Sequence, residues 1–104
     1  MAKRAVMGLR FNGGQLLGLA IGGCFCNDLQ YVAHHMGIRL PSIQVDVSVT
    51  FEGTPMLVKE ARMQVAATPV DENADIGALI ARAKYISSVS NSLRCGVPVQ
   101  IFSH

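Results

Sequence analysis

Residues 43 to 51 alternate without a slip: Ile43, Val45, Val47, Val49 and Phe51 fall on one face, Gln44, Asp46, Ser48 and Thr50 on the other. That period of two is a strand with one face buried and one in water. Gly53-Thr54-Pro55 then supplies a turn, and from Glu60 to Ala67 the alternation resumes through Ala61, Met63, Val65 and Ala67, the pattern of an antiparallel hairpin partner. A two-stranded hairpin is marginal by itself in water, so the rest of the chain must cover its apolar face.

Two segments have the period to do so. The first runs from Gly14 or Gln15 to about His35 and ends at Gly37, a natural left-handed stop, with His34 and His35 in its last turn. Gly18, Gly22 and Gly23 inside it each cost roughly 1 kcal/mol in helix propensity, which predicts a close approach, and another helix backbone against Gly22 and Gly23 is the expected neighbour. The second segment follows Pro69: Asp71-Glu72-Asn73 offers caps for a helix with Ile76, Leu79, Ile80, Ala83, Ile86 and Val89 at three- and four-residue spacing. A short strand over residues 3–11, stopped by Asn12-Gly13-Gly14, and a closing strand over Val97 to Phe102 complete the order strand, helix, strand, strand, helix, strand. This predicts an α+β fold, two helices packed on antiparallel sheet, as a single domain over 1–104.

Composition adds a partner and removes several function classes. Half of the 104 residues are hydrophobic and only 15% charged, more apolar surface than so small a monomer hides, so a homodimer with a mostly apolar interface above about 2,000 Å² is expected. The net charge of +2 comes from dispersed residues without aromatic interleaving, which argues against nucleic acid. Lys3 and Arg4 ahead of Leu16 to Cys26 imitate a secretory signal, and Ile21-Gly22-Gly23-Cys24 a lipoprotein cleavage site. The amphipathic pattern nevertheless continues through Asn27 to His34, and the apolar run is about half the length of a membrane span, so no membrane association is expected. Three cysteines without a Cys-x-x-Cys pair give neither a fully paired disulfide framework nor zinc spacing, which fits free thiols in a cytoplasm. His34, His35 and His104 lack partners at ligand spacing, Met7, Met36, Met56 and Met63 read as core filler, and Gly13-Gly14 falls short of a phosphate loop. Neither metal nor cofactor is expected, and no serine has the partners of a hydrolase.

Particular residues carry a resemblance. Gln15-Leu16-Leu17 leading through Gly22-Gly23-Cys24-Phe25, then Gly37-Ile38, the hairpin, and Ala83-Lys84 with Ser87-Ser88-Val89-Ser90-Asn91-Ser92-Leu93, resemble the OsmC/Ohr family of osmotically inducible and organic hydroperoxide resistance proteins. The likeness covers nearly all of the chain from residue 12 onward. It implies an intertwined dimer that reduces peroxides with two cysteines, one on each helix. It also implies N-terminal strands before the first helix, which residues 1–11 would supply only in reduced form.

On this resemblance Cys24 stands at the first cysteine position and is the candidate catalytic residue. A reactive thiolate needs a cation or a helix N-terminus, yet Cys24 lies about ten residues inside its helix with Asp28 on the same face. The family's activating arginine comes from the N-terminal strands, here reduced to Arg4 or Arg10, and its assisting glutamate position holds Gly14. At the second cysteine position the family's Cys-Pro-Val-Ser reads Ser87-Ser88-Val89-Ser90, and a serine cannot recycle a sulfenic acid through a disulfide. Cys95 is about 12 Å further along a helix and Cys26 points to another face than Cys24, so both read as packing residues. Two functions remain open. One is a thiol-dependent organic hydroperoxide reductase using Cys24 with an external thiol reductant. The other is a dimeric binding or structural protein of the same fold in which Cys24 fills a tight contact. A cation beside the sulfur, from Arg4, Arg10, Arg62 or a partner chain, favours the first.

Overall fold

The computed structural model describes residues 12–103, so the expected strand over 3–11 and His104 lie outside the described residues. Helix α1 spans Gly13–Met36. Asn12 begins it through a capping box: its side chain accepts from the Gln15 N–H at 2.8 Å, and the Gln15 side chain accepts from the Asn12 N–H at 3.0 Å. Gly37 ends it at φ 69°, where a side chain would be strained, and the Ile38 N–H returns to the Ala33 carbonyl at 2.8 Å. By length and composition α1 could cross a membrane, because the 24 residues of the whole helix outrun the Leu16–Cys26 run considered alone. Here one face of it lies on the hairpin.

Strands β1 (Ser42–Glu52) and β2 (Leu57–Thr68) pair antiparallel, from Ser42 opposite Thr68 to Glu52 opposite Leu57. A register shift after Thr50 leaves Lys59 without a partner, a bulge that lets Val58 rather than Lys59 stand opposite Phe51. Beyond the bulge, Val58 and Leu57 continue the pairing, so β2 starts three residues before the regular alternation does. Gly53 makes the turn at φ 99°. Ile43, Val45, Met63, Val65 and Ala67 pack from this sheet against the core.

The expected second helix is broken into two. Helix α2 spans Ile76–Ile86 and α3 spans Ser88–Cys95, with Ser87 extended between them at ψ 101°. Asp75, not the Asp71–Asn73 cluster, caps α2 by accepting from the Ala78 N–H at 2.9 Å, while Asp71 holds a turn through the Asn73 N–H. At the break, the Asn91 side-chain amide donates to the freed carbonyl of Tyr85 at 3.0 Å, and the Asn91 N–H opens α3 by bonding to the Ser87 carbonyl at 2.9 Å. The fold is therefore α+β, three helices on a two-stranded antiparallel sheet.

Two further expectations are corrected. Residues 97–103 form no strand, and Val97, Val99, Ile101 and Phe102 are all exposed, because no neighbouring strand among the described residues offers them a ladder. The helical glycines do not meet a helix backbone either. A Cβ on Gly22 would stand 3.1 Å from Val47 and 3.5 Å from Val45, so the close approach is helix to sheet, while Gly23 faces open space. Gly22→Leu is expected to overpack this contact and cost roughly 1–3 kcal/mol. Gly23→Leu, relieved of glycine's helix penalty, should melt at or above the parent temperature. Thermal denaturation of the two variants side by side checks the pair, and equal losses in both would refute it.

The core is Phe25, Leu29, Val32 and Ala33 of α1 with Leu40, Leu79 and Ala83. Their spacing on α1 is the three-and-four pattern of one face, so the same helix that covers the hairpin also clamps α2.

Candidate functional site

Cys24 sits on α1 one position before the core residue Phe25, on the flank that meets the break between α2 and α3. Its sulfur is half-buried, and three polar groups stand around it: Asp28 Oδ2 at 3.6 Å, Ser87 Oγ at 3.8 Å and Ser88 Oγ at 3.8 Å. Asp28 lies one helical turn further along α1, so the thiol donates to a carboxylate of its own helix. Ser87 is 1% exposed, and Ser88 is the first residue of α3.

The break therefore does more than interrupt a helix. It places the N-terminus of an eight-residue helix, whose Ser87 cap makes no side-chain hydrogen bond to its backbone, next to the Cys24 sulfur. Unpaired N–H groups at such a terminus favour negative charge. Cys24 is too deep in α1 to feel that helix's own N-terminus, and the start of α3 meets its sulfur through the Ser87 and Ser88 hydroxyls. Asp28 acts in the opposite sense, since an ionised carboxylate repels a thiolate. Among the described residues no cation stands within hydrogen-bond reach of the sulfur. Arg62 lies on β2 and faces Glu60 at 3.7 Å, and Arg4 and Arg10 fall outside the described residues.

The other sequence candidates are dispersed. Cys26 is half-buried in a shallow groove with Gly18, Gly22 and Val47, away from the Cys24 contacts. Cys95 is exposed at the last turn of α3, at the opposite end from Ser87. His34 and His35 are exposed, with His35 edge-on to Tyr31 at 4.5 Å between ring centroids. Among the described residues no three His, Cys, Asp or Glu side chains gather as a metal site would require.

Sequence reasoning placed Cys24 and position 87 opposite each other only through the resemblance, and the 3.8 Å contact agrees with that placement. It missed Ser88 and the second helix start. The available signal was the run Ser87-Ser88-Val89-Ser90-Asn91-Ser92, poor in helix formers and rich in capping residues, inside an apolar pattern that otherwise looked continuous.

Comparison with known proteins follows the same line. A family model described as OsmC-like protein matches residues 6–102. Among solved structures, the crystal structure of an organic hydroperoxide resistance protein OsmC from Legionella pneumophila, a predicted redox protein, superposes with a TM-score of 0.69 at 24% sequence identity. The match covers 80% of this chain and 61% of that one, so the chain spans less than two thirds of that relative's length. No curated protein matches the sequence.

Proposed function

Because the chain belongs to the OsmC-like family, we propose that it is a thiol-dependent reductase of organic hydroperoxides with Cys24 as nucleophile, working as a cytoplasmic homodimer. The observation that carries this reading is the meeting of the Cys24 sulfur with the N-terminus of α3 at Ser87 and Ser88. The Cys24 thiolate attacks the distal oxygen of ROOH, the S–O bond forms as the O–O bond breaks, and the departing alkoxide takes a proton to leave as alcohol. Cys24 is left as sulfenic acid. A first external thiol R′SH then forms a mixed disulfide with release of water, and a second releases R′SSR′ and restores the Cys24 thiol. Ser87 stands where an internal thiol would otherwise resolve the sulfenic acid, so the external reductant is required at both steps. The exposed Val97, Val99, Ile101 and Phe102 support the homodimer, and free thiols at Cys24, Cys26 and Cys95 support a reducing compartment.

One observation favours a second reading. The Asp28 carboxylate is the nearest polar group to the sulfur, and the absence of a cation in contact among the described residues suits a binding or structural protein that has lost this chemistry. Consumption of an alkyl hydroperoxide with excess small thiol separates the two. Turnover is expected in the parent chain and its loss in Cys24→Ser, with mass spectrometry finding an oxidised Cys24 adduct and no Cys24–Cys95 link within one chain when thiol is withheld. A Cys24 left unmodified by excess hydroperoxide would establish the second reading instead.

A further inference from the structure

The nearest polar group to the Cys24 sulfur accepts protons and has none to give: Asp28 Oδ2, at 3.6 Å, on a half-buried side chain one turn along the same helix. An ionised carboxylate bonds only to a partner that still holds its proton. The two hydroxyls opposite, Ser87 Oγ and Ser88 Oγ at 3.8 Å, rotate to donate or to accept, so they suit any form of the sulfur. Among the described residues Asp28 is the one ionisable group in hydrogen-bond contact with this sulfur, and it divides the states of Cys24 into two classes. Thiol and sulfenic acid each carry a proton for it to accept. Thiolate, sulfenate and sulfinate carry a negative charge that it repels.

We propose that Asp28 protects Cys24 from over-oxidation by holding its sulfenic acid in the protonated form until an external thiol arrives, a role that rests on the reductase reading and acts after its first step. The need comes from Ser87: with a hydroxyl at 3.8 Å where a thiol would close a disulfide, the sulfenic acid persists between peroxide and reductant. In the competing reaction the sulfenic acid first loses its proton. The sulfenate sulfur then attacks the distal oxygen of a second ROOH, a new S–O bond forms as the O–O bond breaks, and the departing alkoxide takes a proton to leave as alcohol. The sulfur loses two electrons, the peroxide gains them, and the sulfinate that remains is beyond recovery by small thiols. Both the reacting form and the product of that route are anions beside Asp28. Attack by the external thiol releases the sulfenic oxygen as water and needs no negative charge on Cys24. The same carboxylate opposes the thiolate, so it slows the first oxidation while keeping that oxidation reversible.

Peptide-level mass spectrometry of the full chain after graded doses of tert-butyl hydroperoxide, with dimedone to capture sulfenic acid, tests it. The parent should give mainly the dimedone adduct at Cys24. Asp28→Asn keeps the shape and removes the charge, and should raise the ratio of sulfinic to sulfenic product by about tenfold or more at equal dose, the order expected of two charges a few ångströms apart near a protein surface. Its first oxidation should also be faster than the parent's, a gain that damage to the fold does not produce. Asp28→Glu restores the charge and should bring the ratio back toward the parent value. Equal ratios in the parent and Asp28→Asn, or a slower first oxidation in Asp28→Asn, would overturn the proposal and leave Cys24 as the nucleophile. A parent Cys24 that takes up no oxygen would overturn the reductase reading, and this proposal with it.

Discussion

Ser87→Cys joins α1 to the start of α3 by a disulfide to Cys24 on mild oxidation, in near-quantitative yield and without reshaping the chain. The reason is geometric: the Ser87 oxygen and the Cys24 sulfur already touch at 3.8 Å, so rotation about two side-chain bonds closes the gap. A bond across 63 residues of chain removes much of the freedom of the unfolded state, worth roughly 4 kcal/mol on the loop-entropy estimate. The oxidised variant should therefore unfold at markedly higher denaturant concentration than the reduced one. Non-reducing electrophoresis, intact mass lower by two hydrogens and paired urea titrations check it. Failure to crosslink would mean that α1 and the helix break do not face each other, and both the site and the reductase reading would fall with that result.

Phe25→Ala should cost about 3–5 kcal/mol. Phe25 is 2% exposed and belongs to the same buried cluster as Leu29, Leu79 and Ala83, at the point where α1 passes between sheet and α2. Truncation leaves a void that the hairpin cannot collapse into, because Met63 and Val65 are held at their positions by pairing with Val47 and Val45. Against a total of about 5–15 kcal/mol for an ordinary domain, the loss is a large share. The urea midpoint should fall with little change in slope. A loss below about 1 kcal/mol would show that the neighbouring side chains refill the space.

The elements legible in the sequence were those whose cause is local. Alternation over Ile43 to Phe51 marks a strand, and Gly37 ends α1 as a left-handed stop should, whereas the capping box of Asn12 and Gln15 that starts α1 reads in the sequence only as the end of a preceding strand. The break at Ser87 was hidden because the apolar period from Ile76 to Val89 runs straight through it. At the break the Asn91 amide reaches back to the Tyr85 carbonyl, a contact that the apolar period does not report. Val97 to Phe102 alternate as a strand should, yet alternation states only which faces differ and not whether a partner exists. The same limit applies to the site. No periodicity relates Cys24 to Ser87, which meet only when α2 and α3 pack against α1.

The distance along the chain between Cys24 and Ser87 also sets an order of events. The hairpin closes over a few residues at its turn, and α1 winds from its own capping box, so both form from near neighbours. The sulfur acquires Ser87 and Ser88 only after the chain has closed a loop of 63 residues, the slow kind of contact in folding. The sulfur's polar surroundings therefore depend on that long loop being closed, and the contact of Cys24 with Ser87 reports that α1 and the helix break have come together.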